Sequence, residues 1–243
     1  MMTDTTTGTA TGTRAEKAEG MDRVLILVDI QNDFCEGGAL GVDGGHEVAR
    51  RAAAFVRENG REYDAIVVSQ DHHRGDGDNG GHFSESPDFV DTWPPHCVVG
   101  TEGEELAGPI AELAGEGTAG AAGAQADGGS LPPILRVLKG HGEPAYSALE
   151  GTIGTVDGTP LAHVLAGARS VDVAGLALDY CVAATARDAR ALGADVRVLR
   201  ELTAPVHPEG VDDLVAGLTG RGIAVVAADG LAVSAGRTTQ EED

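Results

Sequence analysis

Aromatic side chains are scarce: four Phe, three Tyr and one Trp in 243 residues. A core built almost without them must rest on Ala, Val, Leu and Ile, so each aromatic residue that is present merits scrutiny. Cysteine is scarcer still. Cys35, Cys97 and Cys181 are too few for a disulfide framework, and a reducing, cytoplasmic setting is expected. No apolar run approaches the roughly 20 residues of a membrane-spanning helix. The Thr- and Gly-rich segment before residue 21 lacks the apolar stretch of a secretory signal. Positive charge is also in short supply. Seventeen Lys and Arg stand against 39 Asp and Glu, a formal charge of -22. Such a field repels phosphate backbones and anionic lipid, so neither nucleic acid nor membrane is expected as a partner. The substrate is expected to be neutral, or the site insulated from that field.

What is present points to one domain. Residues 1–20 and 234–243 read as flexible tails that bury nothing against the entropy of ordering. The Gly/Ala-rich stretch 114–130 reads as a loosely packed insertion within a domain spanning 21–233. Short continuous apolar runs occur at Val24–Asp29, Ala65–Ser69, Ile134–Leu138, Val171–Gly175, Val196–Leu199 and Ile223–Ala227. Continuous rather than alternating runs suit strands covered on both faces. Helical patterns lie between them at His46–Asn59, Pro160–Ala168, Cys181–Leu192 and Pro208–Thr219; the first places Val48, Ala52 and Phe55 on one stripe. Strand and helix in alternation predict a three-layer α/β fold, with a predominantly parallel six-stranded sheet and helices on both faces.

In such folds chemistry gathers at the carboxyl ends of the strands, and the unusual polar residues fall there. Cys181 follows the fourth strand at the head of a helix, where the partial positive charge favours a thiolate and free N–H groups can hold an oxyanion. Asp29 directly follows five apolar residues, and desolvation raises a carboxyl toward the range of a general base. Lys139 ends the third strand, where its ammonium would balance Asp29 and favour the thiolate. Each has an ordinary reading too: a buried structural thiol, a turn-capping carboxylate, a snorkelling surface lysine. Three such residues at three strand ends are less readily accidental than one.

A second constellation is Asp71, His72, His73, His82 and His96. If the second strand continues, the i, i+2 spacing puts Asp71 and His73 on one face and His72 on the other. Imidazole with carboxylate suits one divalent ion, Zn, Fe or Mn, without choosing among them. A solvated polar loop is the alternative.

Taken in order, Asp29-Ile-Gln-Asn-Asp-Phe34, Gly37-Gly38, Asp71-x-His73, Trp93-Pro-Pro-His96-Cys97, Lys139-Gly140 and Asp179-Tyr-Cys181-Val resemble the isochorismatase-like hydrolases, and more narrowly their nicotinamidase/pyrazinamidase branch. The resemblance runs from about Val24 to Ala227. It implies a catalytic triad of Asp29, Lys139 and Cys181, and metal ligands Asp71, His73, His82 and His96. It further implies an oxyanion hole from the N–H groups of Ala177 and Cys181, with a cis peptide between Leu176 and Ala177. Phe34 and Trp93 match residues that sandwich a pyridine ring. The implied activity is hydrolysis of nicotinamide, and of pyrazinamide, through a thioester, in NAD salvage. A small aromatic amide is then the expected partner, with a homo-oligomer left open. A carbamoyl or ureido amidase of the same superfamily is the nearest alternative, and a silent metal-binding module the more distant one. Two features depart from the pattern: His141 is expected near the pocket mouth, and Cys35, beside Phe34, is expected as an inert buried thiol.

Overall fold

The computed structural model describes residues 21–115, 125–126 and 129–228. β1 (Arg23–Val28) is buried along almost its whole length, as its unbroken apolar sequence requires. Helix α1 (Gly45–Asn59) follows; its own N-cap residue offers no side chain, and the Glu36 carboxylate instead accepts from the N–H groups of Gly44 and His46, each at 2.8 Å. After β2 (Ala65–Asp71) come helix α2 (Gly108–Ala114) and a two-stranded pair, β3 (Gln125–Ala126) with β4 (Gly129–Ser130). The chain continues through β5 (Ile134–Lys139), β6 (Thr152–Ile153), α3 (Leu161–Leu165) and β7 (Ser170–Leu176). It ends with α4 (Ala183–Ala191), β8 (Asp195–Ala204), α5 (Val211–Gly220) and β9 (Ala224–Val226).

Seven of these strands form one sheet in the order β6-β5-β2-β1-β7-β8-β9. All neighbours are parallel except β6, an antiparallel edge. The six expected strands are all there; β6, two residues long, carries too little sequence to be foreseen. β8 runs past its apolar stretch to Ala204, and α3 is shorter than the pattern around it because Ala166 is already extended. Helix α2 was not expected. Within the stretch expected as a loose insertion, Gln125 pairs with Ser130 and Ala126 with Gly129; both expected tails lie outside the described residues.

The core has two halves, one on each face of the sheet. Val48, Ala52, Phe55 and Val56 of α1 join Ile110 and Leu113 of α2 over Leu25 and Leu27. On the other face Leu161, Leu165, Ala183, Ala186 and Leu218 cover Val24, Ile26 and Val28. Each fully buried Leu or Val contributes roughly 1.5–3 kcal/mol relative to exposure, and small alanines let α4 lie close.

The strand order also positions the site. β1 sits between β2 and β7, so the chain reverses its progress across the sheet there, and a crevice opens beyond the carboxyl ends. β1 and β7 pack tightly at that point: Gly175 has φ 116, and a Cβ there would meet the Val28 carbonyl oxygen at 2.1 Å. Only glycine fits.

Candidate active site

Four strand ends deliver the polar residues to one crevice. Asp29 leaves β1 in the left-handed region, φ 49, which turns its side chain inward. Asp71 and Lys139 are register partners in β2 and β5, so their side chains project on the same face. The Lys139 ammonium lies 2.9 Å from Asp29 Oδ2, 3.8 Å from Cys181 Sγ and in contact with Asp71 Oδ1. Its approach to Asp29 is that of an ion pair, off the hydrogen-bonding direction. A fourth contact is the Ala145 carbonyl at 3.3 Å. The other oxygen of Asp29 is occupied: the Ser69 hydroxyl donates to Oδ1 at 2.7 Å. That leaves Oδ2 as the oxygen facing the ammonium and the thiol.

The charges follow from burial and pairing. Burial raises the Asp29 carboxyl above its ordinary range, against the pull of Lys139. Burial works on Asp71 in the same direction, but the Lys139 ammonium outweighs it and holds that carboxyl well down. Burial would discharge Lys139; the two carboxylates prevail and keep it an ammonium. For Cys181 the expectation of a favoured thiolate is reversed. Burial pushes the thiol well above its ordinary value; Lys139 opposes this, and the Asp29 and Asp71 charges add to it. The helix also begins earlier than expected, as a wide turn over Leu178–Val182 in which Val182 N–H reaches back to the Ala177 carbonyl at 3.1 Å. Cys181 therefore sits inside the first turn rather than at its head. The peptide before that turn, Leu176–Ala177, is cis.

The imidazoles of His73, His82 and His96 converge, with one nitrogen from each within 4.8 Å of the others. His73 Nδ1 meets the Gly140 carbonyl at 2.7 Å and His96 Nδ1 that of Pro94 at 2.8 Å. A carbonyl only accepts, so both Nδ1 atoms carry hydrogen and both Nε2 atoms present lone pairs. His73 Nε2 and His82 Nδ1 are buried without a hydrogen-bond partner. Burial and the neighbouring imidazoles push His82 down to about 4, the neutral form a metal needs. The donor set fits a divalent metal ion. Asp71 Oδ2 faces the same cluster, 3.8 Å from His73 Nε2 and 3.7 Å from His96 Nε2, while Oδ1 serves Lys139. Gly140 makes room for this, since a Cβ would meet the His73 ring at 2.6 Å.

A cavity of about 310 Å³ joins the two clusters. Phe34 and Trp93 line it, as do Asp71, His82, His96, Ala177 and Cys181. Several wall residues were not singled out from sequence. Tyr180 packs edge-on to Trp93 at 5.2 Å, its hydroxyl lies 3.3 Å from His207 Nε2, and the Trp93 Nε1–H donates to the Tyr146 hydroxyl at 3.1 Å. Phe89, 52% exposed, and Val206 give the mouth an apolar rim. Asp179 fixes that rim by accepting from the N–H groups of Val206 and His207 at 2.9 and 2.8 Å. His141 does not reach the mouth. It is exposed and stacks on His72, whose Nδ1 contacts Glu104 on the side away from the cluster. Cys35 is wholly buried outside the cavity, with its thiol pushed up to about 11 by burial.

Among known proteins, the sequence pattern of the isochorismatase domain matches residues 23–119 and 145–229. A nicotinamidase/pyrazinamidase of Mycobacterium tuberculosis is 40% identical over 189 residues, covering 77% of this chain and 89% of that protein. A Pyrococcus horikoshii pyrazinamidase solved in complex with zinc superposes with a TM-score of 0.63 at 29% identity, over 85% of this chain and 99% of that one. The yeast nicotinamidase bound to the inhibitor nicotinaldehyde gives a TM-score of 0.66 at 27% identity, over 84% and 99%.

Proposed function

We propose that this chain, which belongs to the isochorismatase family, hydrolyses nicotinamide, and pyrazinamide, to the acid and ammonia through a thioester on Cys181. The observation that carries this is the lysine held 2.9 Å from one carboxylate and 3.8 Å from a buried thiol, that thiol lining a cavity together with His82 and His96 of the three converging imidazoles. The relatives' activities, nicotinamidase and pyrazinamidase, agree with it.

In this reading the substrate ring lies between Phe34 and Trp93, with its carboxamide toward Cys181. The thiol is unreactive at rest because burial keeps its proton on. Asp29 Oδ2 takes that proton; its raised pKa brings donor and acceptor closer together, and Lys139 stabilises the charge pattern that results. Sγ attacks the carbonyl carbon, and the N–H groups of Ala177 and Cys181 hold the oxyanion, each such donor contributing roughly 3 kcal/mol to the barrier. When the C–N bond breaks, Asp29 returns the proton to the departing nitrogen, which leaves as ammonia. A water then attacks the thioester, giving one proton to Asp29, and the C–S bond opens to release the acid and restore the thiol. Asp71, His73, His82 and His96 would hold a divalent ion, Zn, Fe or Mn. Its contribution when bound is an electrophilic anchor for the ring nitrogen. The product would re-enter NAD synthesis in the cytoplasm.

Ammonia release measured with nicotinamide, pyrazinamide and a ureido compound tests the reading, with the metal content of the same preparation assayed in parallel. Turnover is expected with the two ring amides and not with the ureido compound, and thorough chelation is expected to remove it. Preference for the ureido compound would transfer the chain to a different amidase branch, and full activity without metal would remove the three histidines from the site.

A further inference from the structure

A residue outside both clusters ties the histidine-bearing loop to the wall of the cavity. Asp33 precedes Phe34, and its carboxylate spans two loops. Oδ2 accepts the N–H of Cys97 at 2.7 Å and Oδ1 the N–H of Ala39 at 3.1 Å. The Cys97 peptide is itself a junction. It follows His96, its carbonyl accepts the N–H of His73 at 3.1 Å, and the Val99 N–H returns to the His73 carbonyl at 2.9 Å. Cys97 has φ 45, a conformation that a non-glycine residue does not adopt unaided. Ala39, on the other oxygen, opens the Ala39–Val42 segment that lines the cavity beside Phe34.

The space for this carboxylate is made by a second residue. A Cβ on Gly103 would meet Asp33 Oδ2 at 2.2 Å and Cγ at 2.4 Å, while the Gly103 carbonyl accepts the Asp33 N–H at 3.0 Å.

We infer that Asp33 is a positioning residue, whose carboxylate fixes the backbone carrying His73 and His96 to the wall that receives the substrate ring. It touches neither substrate nor metal. Its effect is to set metal affinity through Cys97 and substrate affinity through Ala39, with Gly103 as the residue that admits it. This rests on the proposed metal site and activity, and the test keeps the failures separate.

Zinc affinity is measured by competition with a chromophoric chelator for the wild type, D33A, D33N, G103A and the D33A/G103A pair, alongside melts of the metal-free proteins. KM and kcat for nicotinamide are taken at saturating zinc. D33A should bind zinc about 10- to 100-fold more weakly, the usual cost of losing a residue that orients ligands. Its KM should rise while kcat at saturating zinc stays within about fivefold, because Asp29, Lys139 and Cys181 are untouched. G103A should reproduce the loss and add little in the D33A background, since the carboxylate it displaces is already gone. D33N can accept from only one of the two N–H groups, so it should shift either zinc affinity or KM, and it serves if D33A does not fold. Folded variants matching the wild type within twofold in both quantities would overturn the inference, as would a lower melting temperature with neither changed. A wild type that takes up no zinc would reject the metal reading and the inference with it, whereas wild-type binding matched by every variant rejects the inference alone.

Discussion

Two sets of buried charges occupy opposite ends of the same strands, and they are built differently. Near the start of β7, Asp172 receives both its oxygens' worth of partners: Arg197 Nε and Nη2 at 2.6 Å each, and the Tyr63 hydroxyl at 2.7 Å. At the far end, Asp29 Oδ2, His73 Nε2 and His82 Nδ1 are buried with no hydrogen-bond partner. Buried polar atoms are normally satisfied, so the contrast separates roles. The saturated carboxylate cross-links strands and has nothing left to offer. The unsaturated groups gather around the cavity that His82 lines, with Asp29 Oδ2 held only by its ion pair to Lys139, which costs stability and leaves them available for chemistry.

Substitutions that strike one set and not the other sharpen or break that division. The largest effect on turnover is expected from Cys181→Ala: a loss of at least about 10⁴-fold in ammonia release with metal content and melting temperature near wild type. Substantial acid production by that variant would remove the thioester. Lys139→Met comes next, with a loss on the order of 10³-fold and a stability cost of roughly 3–5 kcal/mol from two carboxylates left without their cation. The pH dependence has a definite sign. Without the ammonium, burial raises Asp29 further above its unfolded value, so the folded state binds the proton more tightly. The penalty relative to wild type is therefore full above the folded-state pKa and shrinks as pH falls through it. Denaturant melts of both proteins from pH 8 to pH 5 would check it, and a pH-independent gap would mean that the lysine is not balancing these carboxylates.

Tyr180→Phe removes only the contact with His207 at the mouth, and KM for nicotinamide should change no more than about threefold with kcat constant. Asp172→Ala should leave kcat and KM within about twofold while costing roughly 3–5 kcal/mol, read as a fall of about 10 °C in Tm for a domain of this size. A large loss of activity there, at temperatures where the variant is folded, would erase the distinction between the two ends.

The end of the sheet that bears the site was the more legible in sequence. Asp29 and Lys139 announce themselves because each interrupts or closes an apolar run, and such an interruption is visible within six residues. His73, His82 and His96 are legible by crowding in one loop. Asp172 and Arg197 were not, because their pairing links neighbouring strands 25 residues apart and recruits Tyr63 from 109 residues away; no local pattern encodes that. For the same reason Asp33 read as part of a motif rather than as a bridge to Cys97. The protonation of Cys181 is not legible in sequence, because a helix dipole can be anticipated there, whereas burial beside two carboxylates cannot. Helix α2 and strand β6 are short elements held by tertiary contacts, which override weak local preference. Tyr180 reaches the cavity from the turn after β7 and His207 from the loop after β8, and nothing in their immediate neighbours marks them.

The cavity's size carries a consequence for the cell. At about 310 Å³ it lies at the bottom of the roughly 300–1,000 Å³ range of small-molecule pockets, a size that suits a small ring amide. Nicotinamide riboside and the finished dinucleotide bear the same carboxamide, but their ring nitrogen is bonded to sugar and cannot be turned toward three imidazoles. A requirement for a free ring nitrogen would let the Cys181 thiol spare the intact coenzyme without a dedicated recognition element.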